Sequence, residues 1–273
     1  MPAYAQTYLQ LHHQIRRMGN SEGELDYLRG TYEFAMRAFS GYVQGYGKSF
    51  LSHNVGLASI LASLAVPIQV VAAGLVHNVY GCADFGDGQT GIIPTHQKTI
   101  IRVVGKEAEA VLATFNTFNT LWWNPDLFTS IRDQLTDYDK FQRTAVLLHI
   151  ADHLEHNLDN GTLYFYDDES AWRRKNYEVL VEMAIILGYP VLGNEIQRAH
   201  QEHEGIQIPA EFKPLHKPAI RMKLVPKSCR SRYALQLKEG IDHWLHRLQQ
   251  GTASLNGEIR PTLKTVRNWF MPI

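Results

Sequence analysis

Residues 50–82 read FLSHNVGLASILASLAVPIQVVAAGLVHNVYGC, and the two helices they encode decide the fold. The first is predicted from about Phe50 to Ala65, with Ser49 as its N-cap and Pro67 as its limit. Pro67 suits the first turn of a second helix, which reaches about Val79. In the first helix Val55, Ala58, Leu61 and Ala62 recur at helical spacing and form an apolar stripe. The second is apolar nearly all round (Val70, Val71, Ala72, Ala73, Leu75, Val76), the pattern of a helix buried on most sides. Each carries one histidine, His53 and His77, and Asn78 follows the second.

Helical periods continue on both sides of this stretch. Residues 3–18 and 23–42 read as helices parted by Gly19-Asn20-Ser21, and Leu25, Leu28, Tyr32, Ala35, Met36 and Phe39 give the second an apolar face. GYVQGYGK (41–48) is a glycine-rich turn into the 50–65 helix. CADFGDGQTG (82–91) has the Gly and Asp content of a loop. Helices are predicted again at 95–103, 105–118, 126–134, 139–158, 169–187 (ending at Gly188, a suitable C-cap), after Pro190, and at 232–249. No fixed-period repeat, low-complexity tract or sustained strand alternation is present. The expected class is all-α, a helical bundle with a C-terminal basic extension.

With 273 residues, 45% of them hydrophobic, the chain can bury a sizeable core. Its formal net charge is zero, which argues against a dedicated nucleic-acid binder. Two cysteines, Cys82 and Cys229, support neither a disulfide framework nor a zinc knuckle. Together with the lack of a signal-like N-terminus and of any 18-residue apolar run, they point to a cytoplasmic protein with no membrane span. The neutral total hides an asymmetry. Residues 205–273 hold 12 Lys+Arg against 4 Asp+Glu, leaving 15 basic and 23 acidic residues in 1–204, so the two parts carry +8 and −8. Pro209, Pro214, Pro218 and Pro226 interrupt helical pattern there. The expected division is a helical domain at 1–204 and a basic extension at 205–273, whose 232–249 helix docks on the body. The other reading of that charge is an anion or acidic partner bound by Lys223, Lys227, Arg230 and Arg232.

Three ligand-type side chains fall on helices that should share one core: His53, His77 and Asp152. Two neutral imidazoles and a carboxylate suit a divalent transition metal with coordination positions left for water or substrate. The competing reading is three separately satisfied core residues. Against it stands the cost of about 1–3 kcal/mol for each buried polar group left without a partner.

The order of these motifs resembles the HD superfamily, and within it the hydrolase domain of (p)ppGpp synthetase/hydrolases. FAMRAFSGYVQGYGKSFLSHNVGLASILASL (34–64) is similar to that domain's opening helix, loop and first-ligand helix. VVAAGLVHNVYG (70–81) resembles its AALLHDxxED stretch, LLHIADHLEHN (147–157) its KLADRLHN, and EVLVEMAIILGYPVLGNEI (178–196) its closing helix pair. The likeness covers roughly 30–200. A narrower likeness is to HD-like proteins that carry AGLxHxxYG in place of the acidic motif. The resemblance implies a divalent metal (Mn, Fe or Zn) held by His53, His77, Asn78 and Asp152, and a small phosphorylated molecule as substrate. A metal-free site is the alternative, and a homo-oligomer is compatible with it.

Two departures bear on chemistry. Asn78 stands where the family has its metal-binding Asp, so one negative charge is missing from the ligand set. Gly81 and Cys82 stand where the hydrolases carry the Glu-Asp pair that handles the attacking water, and neither replaces a carboxylate as a base. Asp84 and Asp87, in the loop that follows, are the candidate substitutes; the plainer reading is a solvated turn. Lys48 and Arg37 are the candidate phosphate contacts, with surface solvation as the alternative. His149 and His156 share a helix face with Asp152 and are candidates to support it or to join the ligands, while His153 points away. Phe115, Phe118, Trp122 and Trp123 read as a core-and-rim aromatic cluster. Two functions follow: a metal-dependent phosphohydrolase, or a non-catalytic HD-fold protein that senses a ligand or binds a partner.

Overall fold

Ser49 ends the glycine-rich turn and accepts a hydrogen bond from the Ser52 amide, which starts the central helix at Phe50. The computed structural model describes residues 4–44, 47–122, 125–158, 177–204, 206 and 221–223. The chain forms two compact units, Met1–Lys223 and Leu224–Ile273. The second unit, with the 232–249 helix expected to dock on the body, lies outside the described residues. The division expected at 204/205 falls inside the first unit.

That unit is all-α. Among the described residues its helices are α1 (Tyr8–Arg17), α2 (Glu22–Ala38), α3 (Phe50–Ser63), α4 (Ile68–Leu75), α5 (Val79–Cys82), α6 (Pro94–Trp122), α7 (Pro125–Gln134), α8 (Lys140–Leu158), α9 (Tyr177–Ile186) and α10 (Pro190–Glu204). Capping boxes built on Thr7 with Gln10 and on Ser21 with Glu24 start α1 and α2. Helix α3 is enclosed: Phe50 and every residue from His53 to Ala62 are buried, and it packs on α1, α4 and α8. Helix α6 covers α4 and α8 from the other side. Gly105, with φ +81°, divides α6 into two helical runs, matching the break between the 95–103 and 105–118 segments. Phe115 and Phe118 are buried in this core, and the Trp122 and Trp123 side chains of the expected aromatic cluster lie outside the described residues. No helix among the described residues is long and apolar enough to cross a membrane.

Two features differ from the sequence reading. A short antiparallel ribbon pairs β1 (Tyr42–Gln44) with β2 (Arg221–Lys223), Val43 opposite Met222. Three-residue strands far apart in sequence leave no periodic signal, because their pairing is backbone hydrogen bonding that any residue type supplies. The second difference is in the helix expected to reach Val79, which stops at Leu75. Two side chains end it. Buried Asn54 of α3 donates from Nδ2 to the Leu75 carbonyl at 2.9 Å, and His77 donates from Nδ1 to the Gly74 carbonyl at 2.9 Å. Carbonyls that another helical turn would have used are thus satisfied from outside the helix. His77 and Asn78 then lie in the turn between α4 and the single-turn α5.

Close approach of α3 and α4 depends on Gly74. A Cβ built there would stand 2.7 Å from both Leu57 Cδ2 and Leu61 Cδ1, and 3.4 Å from Ala58 Cα. Gly74→Val should therefore overpack this contact and cost about 1–3 kcal/mol. The expected result is a lower urea midpoint with an unchanged denaturant slope; an unaltered midpoint would show that the two helices can part without penalty.

Candidate metal site

Where α3, the α4–α5 turn and α8 meet, His53, His77 and Asp152 converge. His53 Nε2 lies 3.1 Å from His77 Nε2 and 3.1 Å from Asp152 Oδ1, and His77 Nε2 lies 3.4 Å from the same oxygen. Donor atoms bound to one ion at about 2.0–2.2 Å stand about 3.0–3.5 Å apart, so these edges fit a shared ion.

The hydrogen bonds behind the rings sharpen the point. His77 Nδ1 donates to the Gly74 carbonyl, and His53 Nδ1 donates to Glu155 Oε2 at 2.5 Å. Each ring's other nitrogen, Nε2, is then left to present a lone pair inward. Asp152 Oδ1 is buried and makes no hydrogen bond of good geometry, although both Nε2 atoms are near it. Three acceptors facing one point require a cation or an added proton between them. Asn78 adjoins the group, with its amide Nδ2 donating to His77 Nε2 at 2.6 Å. Turning that amide over places Oδ1, a neutral metal donor, at the same point.

His53 and His77 are buried, whereas the Asp152 and His156 side chains keep 22% and 23% exposure, so the cluster opens to solvent on the α8 side. His156 Nε2 lies 3.6 Å from Asp152 Oδ1, and its ring stacks on His53 at 4.6 Å. His149 stacks on Phe115 at 3.9 Å, and Phe115 meets the His77 ring edge-on. His153 points away toward α10, where its Nε2 is 3.0 Å from His200 Nε2.

Electrostatics match this geometry. Burial alone would lower the His53 pKa, but the Glu155 carboxylate, and the Asp152 carboxylate after it, outweigh burial and push the ring up to about 10. Burial opposes ionisation of Asp152 as well, yet the neighbouring imidazoles hold its carboxyl well below 3.8. His156 goes the other way: burial, opposed only in part by Asp152, lowers it to about 4. Without metal, the second proton on His53 does the work a cation would do.

The remaining candidates are placed elsewhere. Lys48, expected to meet a phosphate, forms an ion pair with Glu155 and keeps only 10% side-chain exposure. Asp84 and Asp87 do not join the histidine cluster. Asp84 Oδ1 accepts from the Gly86 amide and Asp87 Oδ1 from the Gln89 amide, both at 2.9 Å, the turn arrangement of the plainer reading. Asp87 Oδ2 also accepts from His96 Nε2 at 2.9 Å. Arg37 lies with these two aspartates and His96 around a separate cavity of about 230 Å³. Sequence reasoning missed Glu155 as a site residue. Its signal was available: it lies three residues after Asp152, and Gly56 lies three after His53 on the facing helix.

A family model described as a domain of unknown function (DUF6817) matches residues 37–119. The match takes in His53, His77 and Asn78 and ends before Asp152. A comparison with curated proteins found no match.

The opposed shifts of His53 and His156 predict how stability of the metal-free protein depends on pH. A histidine raised from 6.5 to about 10 stabilises fully below 6.5 and loses that contribution as pH rises through 10. One lowered to about 4 stabilises above 6.5 and loses its contribution as pH falls through 4. In a chelator, the urea midpoint should peak near pH 6.5 and fall on both sides. His53→Gln should flatten the alkaline limb, and it should weaken the acid limb too, because the His53 charge helps to lower His156.

Proposed function

We propose that this chain is a metal-dependent hydrolase of the HD superfamily, acting on a phosphate ester of a small molecule. One divalent ion (Mn, Fe or Zn) is held by His53 Nε2, His77 Nε2 and Asp152 Oδ1, with the Asn78 carboxamide as a neutral fourth donor. The observation that carries the reading is the 3.1–3.4 Å triangle of His53 Nε2, His77 Nε2 and Asp152 Oδ1, two imidazole nitrogens and a carboxylate oxygen at the spacing of donors around one ion. When bound, the ion supplies Lewis acidity and lowers the pKa of water, making a nucleophile available at neutral pH. The chain's own part is to hold the donors rigidly on buried helices and to leave access on the side of Asp152 and His156. The order of motifs across 34–64, 70–81, 147–157 and 178–196 supports the superfamily assignment.

One observation favours a second reading, a non-catalytic protein that keeps the site for sensing a ligand. Gly81 and Cys82 occupy the positions of the family's water-handling carboxylates. The acidic side chains nearby are engaged, Glu155 by Lys48 and His53, Asp84 and Asp87 by their own turns.

Elemental analysis of the purified chain, followed by titration of the stripped protein with Mn²⁺ and Zn²⁺, tests the first reading. The expected result is one equivalent of metal per chain, lost in His77→Ala. Asn78→Asp adds one negative charge to the donors and should tighten binding by about tenfold, or about 1.4 kcal/mol. Metal-dependent release of phosphate from p-nitrophenyl phosphate or a nucleotide supports the hydrolase. Stoichiometric metal without turnover, in both the natural chain and Asn78→Asp, supports the sensing protein. No metal in either would leave the three residues as a proton-bridged structural cluster.

A further inference from the structure

We infer that Glu155 is a positioning residue of this site: it fixes the His53 tautomer and lends, through the imidazole, negative charge that Asn78 does not provide. Lys48 sets how much of that charge the ring receives. The inference rests on the metal reading above and concerns what tunes the ion's affinity.

The two histidines are supported differently. His77 rests its Nδ1 on a neutral acceptor, the Gly74 carbonyl one turn back, which orients a ring without adding charge. His53 rests on a fully buried carboxylate, Glu155 Oε2. A neutral acceptor would have sufficed to orient this ring, and a buried carboxylate is costly unless paired. Charge is what the carboxylate adds. A carboxylate behind a ligand histidine raises the ring's basicity toward metal.

The scaffold is built around that carboxylate. At Gly56 a Cβ would stand 2.6 Å from Glu155 Oε1, 3.0 Å from Cγ and 3.1 Å from Cδ, so α3 omits a side chain where the carboxylate lies. Gly56 is one turn after His53, and Glu155 is one turn after Asp152, so the same two helix faces present the ligands and this support. His53, Glu155 and His156 also form a group with the spacing of metal ligands. A cation already serves that carboxylate, the Lys48 ammonium on Oε1, so the group is better read as support for one ion than as a second ion site.

The test is titration of the stripped full-length chain with Co²⁺, followed by its visible d–d absorption, in the natural protein, Glu155→Gln and Lys48→Met. Glu155→Gln should weaken Co²⁺ binding by about ten- to a hundredfold. Lys48→Met removes a competing positive charge and should tighten it severalfold. Both substitutions disturb a buried pair and should lower the melting temperature of the metal-free chain. A purely structural role therefore moves both affinities downward, whereas the positioning role moves them in opposite directions. If Glu155→Gln does not fold, Gly56→Ala displaces the carboxylate without removing its charge and should likewise weaken binding. Equal affinity in the natural protein and Glu155→Gln, or a loss in Lys48→Met as large as that in Glu155→Gln, overturns the role and leaves the metal reading intact. Absence of Co²⁺ binding by the natural protein itself overturns both.

Discussion

Two imidazole nitrogens and a carboxylate oxygen face one another inside an apolar core, and that arrangement constrains everything around it. The hydrogen bonds behind the rings turn both Nε2 atoms toward Asp152 Oδ1, so a proton or a cation among them stabilises the group. A proton on His53 fulfils this in the metal-free protein, and a divalent ion would fulfil it with more bonds. The buried position raises the stakes. Water cannot screen the lone pairs on the inner side, where His53 and His77 have almost no exposure.

Packing keeps the three atoms in place because each comes from a different part of a well-filled core. Helix α3 brings His53 and is enclosed along most of its length. Helix α8 brings Asp152 with Val146, Leu148, Ile150, Ala151 and Leu154 buried around it. His77 is held by the ending of α4, where Asn54 and His77 itself take the last carbonyls. One set of hydrogen bonds thus terminates a helix, orients the His77 ring and ties α4 to α3. Loss of Asn54 would be felt at the site even though it touches none of the three ligand atoms.

Charge is distributed unevenly around the cluster. Asn78 supplies no charge beside His77, while Glu155 brings a carboxylate to the far side of His53. Lys48 limits that contribution and gives the buried carboxylate a partner. The site's net charge is therefore set by residues on three separate segments, one of which, the turn before α3, was expected to meet substrate.

Helix existence was legible in the sequence because apolar residues at helical spacing follow directly from one-sided burial, and caps such as Ser49 and Ser21 mark where helices begin. His53, His77 and Asp152 stood out for the same reason, as polar residues in apolar runs. The end of α4 was not legible. No proline or glycine directly follows Leu75, and the helix stops because Asn54, more than 20 residues earlier, reaches its carbonyl. Nor was the ribbon between 42–44 and 221–223, whose pairing uses backbone groups common to every residue. The charge of Lys48 suggested an anion, and only the fold revealed Glu155 as its partner. What the sequence by itself determined were local properties, helical periods, caps and the residue types able to bind metal. Which of those residues share a point, which nitrogen of each ring faces inward, and which carboxylate stands behind His53 were decided by tertiary structure. Distances of 3 Å between segments a hundred residues apart arise from packing, and no local pattern encodes them.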